Sequence, residues 1–353
     1  MSAHDATIDA RACDAAPTNT PLVEPDHPAS HGRRWIGLLV SAIAIGGFVL
    51  WALRQETPTI PTSGEALAEL GAAVLVYSLA TLARGWRWHV LLRRSGIRHH
   101  AADAYALIPV GYMGNTILPA RGGELLRVVL LAQRSPARKR EVAGAIVAER
   151  LLDAIVLTGL FCTLTFIGVA DTSAGTAPAW VGLALLVAAA LGAALAMRLR
   201  RHPRLAGLVE KIRPVAAATV LLLRTPVGVL LALVTAGVWL LEGFIFYLVG
   251  QSLNLPIGIV DGVFLVVLAS FFALIPAAPA YAGTFDAAVV FGLKALDITG
   301  GAAVSFAILV RAVLFVPITI VGLVLVLVRY GGRRTLRLGR AQDAELERSR
   351  LAR

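Results

Sequence analysis

Four arginines, Arg121, Arg127, Arg150 and Arg311, lie inside long apolar stretches of this chain, and five carboxylates (Glu124, Glu149, Asp153, Glu242 and Asp286) share those surroundings. A guanidinium presents a planar fork of N–H donors that matches a carboxylate or a phosphate. Left unpaired in hydrocarbon it costs roughly 2.5–3.5 kcal/mol, so each must face a carboxylate or a wet cavity. Two chemistries are open to such a set: ion pairs that hold helices together, or a receptor for an anionic group. Arg121 is the leading receptor candidate, because Ala120, Gly122 and Gly123 let a phosphate approach both its guanidinium and free backbone N–H groups. Glu149 and Asp153 are four residues apart and share a helix face, whereas Arg150 points about 100° away from Glu149. Arg150 therefore needs a carboxylate from another element, Glu124 being the first choice, and Asp286 is the matching partner for Arg311. Glu124, Glu149, Asp153 and Asp286 are also candidate proton carriers. Asn115 ends the stretch Gly111-Tyr112-Met113-Gly114-Asn115-Thr116, where it either satisfies freed backbone groups or contacts a ligand.

These residues gather at two broken apolar segments. The first runs from Ile117 to Arg127 and is interrupted by Pro119, Gly122 and Gly123; the second runs from Leu274 to Asp286 and is interrupted by Pro276, Pro279 and Gly283. Interrupted helices at corresponding places in two halves of a membrane protein point to a transport site. The composition agrees: 57% of residues are hydrophobic, mean hydropathy is +0.74, and 16% are charged, against about 25% in soluble domains. The chain is therefore all-α, polytopic and embedded in a membrane. Its net charge of +11 sits in clusters between apolar runs, which suits anionic lipid and excludes a nucleic-acid role. Cys13 and Cys162 form no disulfide framework, His99-His100 has no second ligand set beside it and reads as solvated, and no metal site or cofactor motif is present. Trp86, Trp88 and His89, beside Arg84 and Arg87, read as a membrane-interface anchor.

Residues 1–34 read as a disordered tail, 35–330 as a transmembrane domain and 331–353 as a basic tail. Full-length apolar runs fall at about 35–53, 66–83, 142–168, 178–197, 226–249 and 302–328. The broken regions, about 104–133 and 259–296, have arms short for a core of roughly 30 Å and are expected to be re-entrant hairpins, or alternatively pairs of tilted spans. Six spans and two hairpins place the basic clusters of the N-terminal tail, 84–98, 134–140, 198–224 and 329–353 on one side. Those clusters hold 27 of the 33 Lys and Arg residues, so both termini are expected in the cytoplasm. The elements then occur twice with opposite orientation, about 35–168 and 178–328, as an inverted repeat. Glu124 and Asp286 are 162 residues apart, and Arg150 and Arg311 are 161 apart.

The run from Gly111 to Arg127, followed by Ala148-Glu149-Arg150-Leu151-Leu152-Asp153, resembles the flippase-like transmembrane region of lysylphosphatidylglycerol synthases, and Pro276 to Asp286 resembles that family's second block. The resemblance covers about residues 35–330. It departs at Ala280-Tyr281-Ala282, where a glycine-rich turn is common, and at Asp286, where Glu is usual. What it implies is a protein of the bacterial inner membrane that moves an anionic phospholipid or a polyprenyl-linked lipid between leaflets, with membrane lipids as its partners and no enzyme activity. The aminoacyl-transferase domain of the full synthases is expected to be absent, given the short stretch after the last span. A polyprenol-dependent transferase of cell-envelope biosynthesis is the first alternative, although the loop 198–225 offers only Glu210 as an acid. A secondary transporter of a small anion is the second. Reporter fusions test the layout: signals after residues 60, 172 and 255 are expected outside and those after 140, 210 and 335 inside. An outside signal at any of the last three breaks the inverted repeat.

Overall fold

Ser63 opens the first helix, its hydroxyl accepting from Ala66 N at 3.2 Å, and Arg93 and Arg94 close its last turn against the helix dipole. In the computed structural model, which describes residues 61–118, 122–166, 225–273 and 279–331, this helix is α1, Gly64–Arg94. It is followed by α2, Ala101–Ile117; α3, Gly122–Arg134; α4, Lys139–Phe166; α5, Pro226–Ser252; and α6, Ile259–Phe272. A 3-10 turn, Pro279–Tyr281, then leads to α7, Thr284–Ala295, and α8, Gly300–Arg329. All regular structure among the described residues is helical. The expected tails, the spans at 35–53 and 178–197, the loop to residue 224, and Pro119, Arg121 and Pro276 lie outside the described residues.

Among the described residues, three helices, α1, α5 and α8, are long and apolar enough to cross a membrane. Helix α4 has comparable length but carries Glu149, Arg150 and Asp153 near its middle. Along α8, Val316, Ile320, Leu323, Val324 and Leu327 form an exposed apolar stripe at helical spacing. Such a stripe is stable only against lipid or a partner. Both broken regions are helix–break–helix: α2 and α3 flank one break, α6 and α7 the other.

The helices form two sets with one packing plan. Contacts α1–α2, α2–α3, α3–α4 and α1–α4 recur as α5–α6, α6–α7, α7–α8 and α5–α8, while α4–α6 recurs as α8–α2. The pairing of α1 with α5 joins the sets. Local detail repeats as well. Helix α1 ends at Ser95-Gly96, with Gly96 at φ +74 and Ile97 N donating to Leu92 O; α5 ends at Leu253-Asn254, with Asn254 at φ +53 and Leu255 N donating to Gly250 O. Each residue of the second cap lies 158 positions after its counterpart.

Glycine sets the close approaches. Gly85 lies against Tyr105 and Gly243 against Val263, again 158 apart, so α1 meets α2 as α5 meets α6. In the first hairpin Gly114 and Gly123 touch backbone to backbone, and a Cβ on Gly123 would collide with Gly111 O and Asn115. Substituting Gly123→Ala should cost about 1–3 kcal/mol through overpacking, whereas Gly159→Ala, which meets open space, should be neutral or slightly stabilising. Thermal unfolding in detergent distinguishes them, and equal melting temperatures would refute the packing.

Candidate functional site

Where α1 crosses α5, two buried charges meet: Arg84 Nη2 donates to Glu242 Oε1 at 2.5 Å. One turn further along α1, Arg87 is 1% exposed and bonds Asp153 at 2.5 Å and Thr235 at 2.9 Å through Nη1, and Glu149 at 3.0 Å through Nη2. Glu149 also accepts from Arg127 Nη2 at 2.8 Å, and the Arg127 guanidinium lies 4.1 Å from the centre of the Trp88 ring. These contacts tie α1, α3, α4 and α5 together. The sequence expectation for this stretch needs correction: Arg84, Arg87 and Trp88 are not an interface anchor. Helix α1 continues to Arg94, and all three side chains are buried, because carboxylates from α4 and α5 neutralise the arginines and Arg127 covers the indole.

The expected pairs of the two repeats are both present. Arg150 Nε lies 3.1 Å from Glu124 Oε1, an ion pair without hydrogen-bond alignment, and Arg150 Nη1 donates to Asp153 at 3.4 Å. Arg311 grips Asp286 with two bonds, Nε to Oδ1 at 2.6 Å and Nη2 to Oδ2 at 2.8 Å. Its remaining Nη1 donates to Ala280 O at 3.2 Å. Ala280 and Tyr281 have φ of +58 and +53, a left-handed conformation that costs non-glycine residues energy. Arg311 fixes this turn from one side, while Asp286 accepts from Gly283 N at 2.9 Å on the other.

A cavity of about 270 Å³ opens between these groups. Its polar lining is Arg84, Arg150, Asp153 and Glu242 with Asn115, Thr116 and Ser270, and its walls include Tyr77, Tyr112, Trp239, Tyr281 and Phe285. Helix α2 packs on the 3-10 turn, so residues before the first break (Asn115, Thr116) and at the second (Tyr281, Phe285) share this chamber. Of the sequence candidates, Asn115, Arg150 and Asp153 line it. Asn115 also accepts from Gly123 N at 3.0 Å, capping the start of α3. Glu124, Arg127, Glu149, Asp286 and Arg311 are not among the lining residues; they hold the surrounding helices. Gly122, Gly123 and Gly283 lie at the breaks, Pro279 begins the 3-10 turn, and Arg121 is outside the described residues.

Arg84, Tyr77 and Trp239 escaped sequence reasoning, and Glu242 was noted only as a possible counter-ion. One signal was readable: Arg84-Gly85 and Glu242-Gly243 stand 158 residues apart, each a charge followed by glycine inside an apolar run.

At the ends of α2, α3 and α8, Asp103 is 1% exposed and faces Arg134 at 3.2 Å and Arg329 at 2.9 Å. Burial, with Asp103 beside it, pushes the Tyr330 hydroxyl up to about 12. His99 is not simply solvated either: its Nε2 lies 2.9 Å from His89 Nδ1, and its Nδ1 lies 2.8 Å from Ile97 O. The burial differences make a prediction. Glu149→Gln leaves buried Arg127 without its charge partner and Arg87 with Asp153 alone, and should cost about 3–5 kcal/mol. Glu124→Gln, at the rim, should cost under about 1 kcal/mol. Thermal denaturation of the two purified variants decides it, and the reverse order would sink the assignment of frame and cavity.

The sequence was compared with known proteins. The family model for the lysylphosphatidylglycerol synthase TM region matches residues 34–322. Among curated proteins, the chain is similar to the Haloferax volcanii protein named glycosyltransferase AglD, 26% identical over 136 residues, which is 38% of this chain and 22% of that protein. The chain thus spans about a fifth of the length of the curated relative it matches. Apolar helices long enough to cross a bilayer and the extent of the family match lead to one conclusion: this chain is a multi-pass membrane protein belonging to the lysylphosphatidylglycerol synthase TM region family.

Proposed function

We propose that this protein carries an anionic lipid, a phospholipid or a polyprenyl-linked lipid, between the leaflets of a bacterial inner membrane. The observation that carries this reading is the chamber lined by Arg84, Arg150, Asp153 and Glu242 where the two helix breaks meet, within helices whose outer faces are apolar. A charged headgroup needs a polar, walled route through hydrocarbon, while its acyl chains are already soluble in the bilayer. The family match supports a lipid-related role. The matching contacts of α1–α4 and α5–α8 support a repeat, and with the clustering of basic residues along the sequence we read it as an inverted repeat of six full spans and two re-entrant hairpins, with both termini in the cytoplasm. In this layout the hairpins line the route and no cofactor is required.

A second reading, a polyprenol-dependent transferase, takes its support from the name of the Haloferax relative. The geometry favours transport. Asp153 and Glu242, the cavity carboxylates, are each held in an ion pair with an arginine of another helix, an arrangement that suits a fixed charged lining.

Reconstitution into liposomes tests the proposal. Wild-type protein is expected to move tail-labelled phosphatidylglycerol or a polyprenyl phosphate across the bilayer. Arg150→Ala, which removes a half-exposed cavity cation, should slow that movement tenfold or more with little loss of stability. No transfer of any lipid class would overturn the transport reading, and glycosyl transfer to a polyprenyl phosphate from an added sugar nucleotide would establish the alternative.

A further inference from the structure

Arg84 is 3% exposed, lines the cavity, and uses Nη2 on Glu242, yet its Nη1 has no acceptor. Trp239, on the same cavity wall, also has a buried Nε1 donor without an acceptor. The two are neighbours: the Arg84 guanidinium carbon lies 5.8 Å from the centre of the Trp239 ring and 5.6 Å from that of Tyr112. Buried donors without acceptors are rare and costly, on the order of 1–3 kcal/mol each. Three residues lining the chamber carry such donors; Arg150 Nε lies 3.1 Å from Glu124 Oε1, which leaves Arg84 Nη1 and Trp239 Nε1, one charged and one neutral, as donors suited to a ligand atom that accepts hydrogen bonds and carries negative charge.

The charges of the chamber narrow the ligand further. Arg84 and Arg150 face Asp153 and Glu242, so the lining is neutral as it stands. A ligand with two negative charges would bring both into a low-dielectric space beside two carboxylates, and a neutral ligand would offer the charged Nη1 arm of Arg84 only a weak acceptor. A single negative charge spread over two oxygens, as in a phosphodiester, gives one oxygen to the receptor and keeps the excess smallest. At about 270 Å³ the chamber is at the small end of ligand pockets, sized for a headgroup rather than a whole lipid. The aromatic walls keep water from competing for the donors.

We infer that Arg84 Nη1 and Trp239 Nε1 together receive one oxygen of a singly charged phosphodiester, with Glu242 holding the arginine in place from its other arm. The inference rests on the transport reading for its setting and assigns the headgroup class and the receiving atoms. Arg84→Lys preserves the charge opposite Glu242 but removes the second arm of the fork. Trp239→Phe preserves the ring wall and removes only the N–H.

Calorimetric titration of the full chain in detergent tests it with three probes: dihexanoyl phosphatidylglycerol (a lipid diester), glycerophosphoglycerol (a soluble diester) and inorganic phosphate. Wild type is expected to bind the lipid diester, with inorganic phosphate at least tenfold weaker. Arg84→Lys should weaken diester binding about 10- to 100-fold, the range of a charge-assisted hydrogen bond, and Trp239→Phe about 3- to 10-fold. Wild-type affinity in both variants, phosphate binding as tight as the diester, or no binding of any probe overturns the inference. Should Arg84→Lys fail to fold, Trp239→Phe alone decides, because it removes no charge. Binding of the soluble diester without the lipid diester, still dependent on both residues, upholds the receptor and sinks lipid transport. Lipid transfer in liposomes that is indifferent to both substitutions upholds transport and sinks the receptor.

Discussion

The ion pair between Arg84 and Glu242 joins the two halves of this molecule at equivalent positions, and the charged interior is organised around it. Each residue precedes a glycine, Gly85 or Gly243, that lets its helix press against the next one, so the partners are delivered by the same local geometry used twice. Two helices that present corresponding faces to each other must cross on the axis relating the halves. A charge at that point can only be neutralised by the other half. Arginine in one copy and glutamate in the other is the arrangement that satisfies both, since two like charges there would repel at low dielectric.

Away from the axis the halves diverge. Arg87 lies one turn beyond Arg84 and recruits Asp153, Thr235 and Glu149, whereas the position 158 residues later is Ile245, fully buried in an apolar cluster with Phe246 and Phe285. At this position the first half is held by charge and the second by packing. Breaking a buried ion pair is expensive while rim pairs are cheap to rearrange. The Arg87–Glu149–Arg127 network is therefore a fixed frame, and Arg150, whose side chain is 36% exposed beside Glu124 and Asp153, is the adjustable part. Asp103 and Asp261 show the same divergence at the helix ends. Asp103 faces two arginines, while Asp261 caps Gly258 N at 2.8 Å. Basic residues concentrated at one end of a repeated fold are what charge-biased insertion leaves behind.

Much of this was legible in the sequence, because bilayer physics writes simple rules. Charge in an apolar run needs a partner, which gave Glu124 for Arg150 and Asp286 for Arg311, and proline with glycine gave both breaks. The failure at Arg84 and Arg87 came from the same rule applied at an edge. A span ends where hydropathy falls, so the run appeared to stop at Ala83 and its arginines joined the loop count. Only the partners on α4 and α5, remote in sequence, turn that stretch into buried helix. The residue-by-residue correspondence before the breaks was hidden for a related reason. Corresponding residues are 158 apart before the breaks and 162 apart at Glu124 and Asp286, so the second break holds four extra residues. A search at one fixed spacing sees half of the symmetry and misses the axis.

The residues on either side of that break line the chamber. The second break supplies Tyr281 from a left-handed turn and then Phe285, while the first supplies Asn115 and Thr116 from the end of a regular helix. One wall is therefore aromatic and braced by Arg311, and the other is polar and backed by the contact of Gly114 with Gly123. With the halves inverted across the bilayer, as proposed, a headgroup entering from one face meets the polar wall first and from the other face the aromatic one. The Arg84 donor on the axis is the feature common to both approaches. On the transport reading, one receptor between unlike walls binds the same headgroup from either leaflet while releasing it at different rates, so directional preference would reside in the two breaks rather than in the binding residues.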